Sequence, residues 1–206
     1  MVSRRQKAEH IRKQIRTVFA IPSLRFGLDD VCSVTDPAVA IFRNQILQPL
    51  LPDCSVILDP FACVGLDAVS FTLSFPQAVI HCAQKTSTAL ERQRFAFLEH
   101  NLNHAWANAS LTPTSASMAI LYDWQFLTHI DLLYLDPPWF NRQNRKYSLT
   151  ELLELISLEV LENLDLQRVK VVCLKTDFEM GPEILGLVLY PQQAQQHCVL
   201  LSCAGP

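Results

Sequence analysis

Short, nearly continuous apolar runs alternate along this chain with longer stretches whose apolar residues recur every three or four positions. The short runs predict strands at 54–61 (CSVILDPF), 77–83 (QAVIHCA), 130–136 (IDLLYLD) and 169–176 (VKVVCLKT), with a weaker one at 109–113 (ASLTP). The periodic stretches predict helices at 6–18, 33–50, 65–75, 87–105 and 148–164. Thr35 or Asp36 suits a helix cap, and Pro37 suits a first turn. Ser148 or Thr150 starts a later helix in the same way, and Pro22 breaks the first one. Two last runs, 183–191 (EILGLVLYP) and 195–203 (QQHCVLLSC), are expected to close the chain as an antiparallel pair of strands.

Strands that alternate with helices, and inner strands without a two-residue polar alternation, imply an α/β fold. Its sheet is expected to be mostly parallel, with helices on both faces. The chain has 206 residues, half of them apolar, which is enough for one full core. No apolar run approaches the roughly 20 residues of a membrane span. The opening MVSRRQKAEHIRKQIR lacks the apolar centre of a signal peptide. The protein is therefore expected to be intracellular, nuclear or cytoplasmic, with no membrane partner. Seven cysteines occur without a CxxC pair, several inside apolar runs, and read as reduced core residues rather than a disulfide frame or metal site.

Charge changes the picture at one end. Net charge is −3, yet residues 1–16 hold six bases (Arg4, Arg5, Lys7, Arg12, Lys13, Arg16) against Glu9 alone. That segment is either a solvated helix end or an arm that contacts RNA.

Three stretches carry chemistry. In ILDPFACVGLDA (57–68) a strand ends, a tight loop follows and a helix begins near Gly65. Such a turn offers backbone N–H groups and close approach to a nucleoside. It has neither the GxxxxGK[ST] of a phosphate loop nor the GxGxxG of a dinucleotide site. In LDPPW (135–139) an acid and two prolines end a strand, so acceptors at Asp136 and the Pro137 carbonyl are rigidly placed. There they can hold an exocyclic amine, and Trp139 can stack on its base. The third stretch, FNRQNRKY (140–147), puts Arg142, Arg145 and Lys146 among amides, which suits a phosphate-bearing ligand.

These residues resemble those of class I S-adenosylmethionine-dependent methyltransferases that methylate amines. Within that group the chain is similar to the RNA cap guanine-N2 methyltransferases, the trimethylguanosine synthase family. DPFACVG after the first strand and DPPW after the 130–136 strand carry the likeness. FGLDDVCSVTDPAVA (26–40) and VVCLKTDFEM (171–180) narrow it, and together they span about residues 20–180. The resemblance implies a Rossmann-like methyltransferase domain over 26–206, preceded by a basic helical arm over 1–25. It implies S-adenosylmethionine as cofactor, lined by Thr35, Asp59, Phe61, Ala62, Gly65 and Gln84. It implies Asp136, Pro137, Pro138 and Trp139 as the catalytic set. Trp139, Arg142, Arg145, Lys146 and Lys175 would meet substrate, the partner would be m7G-capped RNA, and no metal is implied.

The chain departs from the family at three places. Cys63 stands where the family loop has glycine. Ala83 stands where an acid ends the second strand, with Gln84 beside it, and Ser117 where an acid follows the third. These departures keep open a degenerate methyltransferase fold that binds RNA or protein. Asp136 also suits an enzyme acting on adenine.

Overall fold

In the computed structural model, which describes residues 3–31, 33–84, 86–108, 127–138, 146–160, 164–176 and 197–202, three helices start where the sequence supplies a cap. Helix α1 (Arg4–Gln14) opens on a reciprocal pair of side-chain bonds between Ser3 and Gln6. Helix α2 (Pro37–Leu47) has Asp36 accepting from the Ala38 N–H, with Pro37 in its first turn. Helix α5 (Leu149–Glu159) repeats the reciprocal cap with Ser148 and Glu151. After α1 the chain winds through a wider turn, Ile15–Phe19, and leaves it at left-handed Ala20. Helices α3 (Leu66–Ser74) and α4 (Ala89–Asn108) follow strands β1 (Val56–Asp59) and β2 (Val79–Cys82).

With β3 (Ile130–Leu135), β4 (Val169–Thr176) and β5 (His197–Ser202) these strands make one sheet, in the order β2-β1-β3-β4-β5. Every neighbouring pair is parallel. This corrects the expected antiparallel closing strand: β5 runs beside β4 in the same direction, Val171 opposite His197 and Thr176 opposite Ser202. An apolar run reads alike in both directions, and residues 177–196 exceed the roughly dozen that a parallel return needs. The runs at 109–113 and 183–191 lie outside the described residues.

Strand side chains alternate between two apolar clusters. Ile57, Ile80, Leu132, Tyr134, Val171 and Cys173 pack with residues from α1 to α4, including Ile11, Leu47, Phe71 and Leu98. Leu58, Leu133, Leu135, Val172 and Leu174 pack with Leu152 and Ile156 of α5. Helices thus cover both faces. The side chains of Cys54, Cys82 and Cys173 are buried, and Cys63 is half-buried. Among the described residues no helix is long and apolar enough to cross a membrane.

Helix α2 is turned against its apparent polarity. The positions facing the core are 40, 43, 44 and 47, so Arg43 and Asn44 are buried. Val39, Phe42 and Ile46 point outward, Phe42 with 63% of its surface exposed. Those two inward polar side chains lead to the strand ends.

Candidate functional site

The sheet order reverses between β1 and β3, because the chain steps from β1 to β2 on one side and β3 takes the other. In open parallel sheets a crevice lies outside the carboxyl ends of the strands at that point. The register decides what stands there. Leu58 pairs with Leu133, which sets Asp59 level with Tyr134. Leu135 pairs with Leu174, which sets Asp136 level with Lys175. Alternation turns Asp59, Asp136 and Lys175 to the face that α2 and α3 cover.

Hydrogen bonds link that face into one chain. Lys175 Nζ donates to Asp136 Oδ2 at 2.6 Å and to Thr35 Oγ1 at 2.8 Å. Thr35 Oγ1 donates onward to Asp67 Oδ2 at 2.7 Å. The Arg43 guanidinium binds the other oxygen of Asp67 and donates to Ser70 Oγ at 2.6 Å. It also lies over the rings of Phe71 and Tyr134, 4.2 and 4.5 Å from their centroids. Buried Asn101 keeps the Thr35 segment in place. Its Oδ1 accepts from the Arg25 N–H, and its Nδ2 donates to the carbonyls of Arg25 and Val64. The segment before Thr35 and the loop after β1 therefore share one side chain.

Three acids and two bases face each other here. Asp59 accepts from the Phe61 N–H with Oδ1, while its buried Oδ2 has no hydrogen-bond partner among the described residues. Burial and the nearby Asp67 and Asp136 carboxylates push the Asp59 carboxyl well above its usual range. Burial would also raise Asp67, but Arg43, Lys175 and the Thr35 hydroxyl outweigh it and hold Asp67 below that range. For Asp136 burial wins over the pull of Lys175, and the carboxyl stays raised.

The loop after β1 turns its donors inward. The Ala62 N–H bonds the Ala83 carbonyl, the Ala83 N–H bonds that of Asp59, and the Gly65 N–H bonds that of Ala62. With the Phe61 N–H on Asp59, three loop donors expected to face a nucleoside are already used. Cys63 adopts φ +49°, the left-handed region that favours glycine. Burial pushes its thiol up to about 12, so it is a neutral thiol and not an activated nucleophile. Gly65 has φ +82°, and a Cβ there would meet Leu98 Cδ1 at 2.5 Å. Its bareness serves the packing of α4 on the loop.

No protein-family model matches this chain, and no curated protein matches it.

Of the residues that the sequence singles out, the fold gathers Thr35, Asp59, Asp136 and Lys175. Pro137 is buried and Pro138 exposed just beyond them. Ala62 joins the first apolar cluster, whereas Phe61 packs against the second, on the α5 side. Gln84 is half-buried one residue past Ala83, and Lys146 is exposed. Trp139, Arg142, Arg145 and Ser117 lie outside the described residues. Among the described residues no group of three or more His, Cys, Asp or Glu is placed to hold a metal ion. A cavity of about 490 Å³ lies at the other end of the sheet, lined by residues such as Leu51, Ser55, Phe75 and Gln77.

Sequence reasoning missed Arg43, Asn44, Asp67, Ser70 and Asn101. In PAVAIFRNQIL the helical period does place Arg43 and Asn44 on one stripe with Ala40 and Leu47, but the stripe of Val39, Phe42 and Ile46 is the more apolar, so the pattern points the helix the other way.

Proposed function

We propose that the protein is an S-adenosylmethionine-dependent methyltransferase with a Rossmann-like sheet, acting on the exocyclic N2 amine of the 7-methylguanosine cap of RNA. The observation that carries this reading is the meeting of Asp59, at the end of β1, with Asp136, at the end of β3, across the reversal in strand order. The motifs that resemble the cap guanine-N2 family fall on these two strand ends.

The residues fit such a cofactor on one further ground. Three acids and two bases leave one acid without a base, and Asp59 Oδ2 is a buried carboxylate oxygen without a partner among the described residues. S-adenosylmethionine carries a sulfonium, an ammonium and a carboxylate, hence one net positive charge. Asp59, Thr35, Ala62 and Gln84 would hold it. When bound it supplies an electrophilic methyl group.

The chain's own residues do the rest. Asp136, with the Pro137 carbonyl, accepts N–H bonds from the amine and draws the nitrogen lone pair out of conjugation with the ring. The prolines keep those acceptors from moving, so alignment is in place before reaction. Trp139 stacks on the cationic 7-methylguanine. All six bases at the start of the chain are exposed and open to RNA phosphates. His10 Nε2 lies 2.9 Å from Asp36 Oδ2, which ties α1 to the residue beside Thr35 and so to the rim of the site.

A second reading, a binding module without cofactor, is favoured by the Cys63 side chain and the inward-turned loop donors. Calorimetric titration with S-adenosylhomocysteine separates the two. Binding is expected, and the absence of heat from folded protein would leave only the second. Methyl transfer from labelled cofactor should then mark m7G-capped RNA and spare uncapped RNA. Label on adenine N6 instead would move the reading to an adenine enzyme.

A further inference from the structure

Lys175 sits at the junction of two acids. Its ammonium contacts Asp136 directly and reaches Asp67 through the Thr35 hydroxyl, which accepts from Lys175 and donates to Asp67. The side chains of Lys175 and Asp136 are each only 11% exposed. A lysine reaching for RNA phosphate would present its ammonium to solvent, whereas this one is drawn down onto the strand ends.

We propose that Lys175 is a positioning residue: its ammonium, held between Thr35 and Asp136, keeps the Asp136 carboxylate charged and aimed so that it accepts an N–H from the substrate amine. The reaction in this statement rests on the methyltransferase reading, while the ion pair does not. The groups around Asp136 make such a counter-ion necessary. Asp59 faces it from β1, Asp67 from α3 and the Cys63 thiol from the loop. Arg43 of α2 has Asp67 as its own partner, and Tyr134 on β3, whose hydroxyl burial pushes well above its usual range, adds no charge. Burial and the nearby acids favour a protonated Asp136, and the Lys175 charge opposes them. A protonated carboxyl turns one oxygen into a donor and leaves only a neutral, weaker acceptor, so the amine would lose its charge-assisted hydrogen bond.

The test compares wild type with Lys175→Met, Lys175→Gln and Lys175→Arg. Gln keeps a donor for Thr35 without the charge, and serves if Met does not fold. The readout is the pH profile of kcat for methyl transfer from labelled S-adenosylmethionine to m7G-capped RNA. Removing a charge at this range should move the acid limb upward by about 1–3 pH units, with activity recovering at high pH. Arg keeps the charge and should leave the limb in place. An unmoved limb in the neutral variants overturns the proposal. So does a raised KM for RNA with kcat unchanged, since that would make Lys175 a substrate contact. A parallel measurement needs no activity: carboxyl-carbon NMR titration of Asp136, assigned with Asp136→Asn. If wild type transfers no methyl, the enzyme reading falls and this titration decides alone. An upward displacement in the neutral variants sustains the ion-pair role, and superimposed curves refute it.

Discussion

Replacing Arg43 by methionine probes the inward turn of α2 most directly. Arg43 is 2% exposed, binds Asp67 and Ser70, and fills the space between Phe71 and Tyr134. Methionine matches the stem and keeps contact with both rings, so little apolar packing is lost. What remains is a buried Asp67 without its main counter-charge, and breaking a buried pair from one side costs about 3–5 kcal/mol. Lys175 still reaches Asp67 through Thr35, which favours the lower end, near ~3 kcal/mol. For a chain of this size that is a fall in Tm of about 6–12 °C.

The pH dependence supplies a signature that packing loss would not. Asp67 is held below its unfolded value near ~3.9, so its stabilisation is present above that value and is lost as pH falls through the folded value. Arg43 is its leading favourable neighbour. Wild type should therefore lose more stability on acidification than Arg43→Met, and the gap should narrow. In Arg43→Met/Asp67→Asn the deficit should be smaller than the sum of the single losses, with a coupling of about 1–3 kcal/mol. Urea unfolding across pH measures all three variants. A loss under ~1 kcal/mol, or one independent of pH, would refute the buried pair.

Gly65→Ala should destabilise by about 2–4 kcal/mol, combining left-handed backbone strain with overpacking against Leu98. A change in the urea midpoint equivalent to less than ~0.5 kcal/mol would mean that the loop accommodates a side chain there. For Asp59→Asn the expected sign is opposite. The folded value of Asp59 is raised, so its contribution favours folding below its unfolded value near ~3.9 and is lost as pH rises through the folded value. Asp59→Asn should therefore be more stable than wild type at neutral pH, with the difference closing in acid. Melting curves in which Asp59→Asn is the less stable protein at neutral pH would show an ionised, satisfied Asp59.

Much of the architecture is legible one segment at a time. A continuous apolar run bounded by breakers marks a buried strand, and Asp36 and Ser148 mark helix starts through bonds to residues two or three positions away. Asp59-Pro60 and Asp136-Pro137 mark strand ends because proline cannot extend the ladder. All of these depend on neighbours close in sequence, so the order of residues carries them. The direction of β5 does not, since hydrophobic alternation has no polarity along the chain. Nor does the choice of partners inside the site. Thr35 meets Lys175 across 140 positions, Arg43 meets Asp67 across 24, and Asn101 joins Arg25 to Val64. Sequence can say that a buried Arg43 needs a carboxylate. Only the strand register, and the way α2 and α3 lie over it, selects Asp67 for Arg43 and Asp136 for Lys175, and leaves one oxygen of Asp59 unclaimed among the described residues.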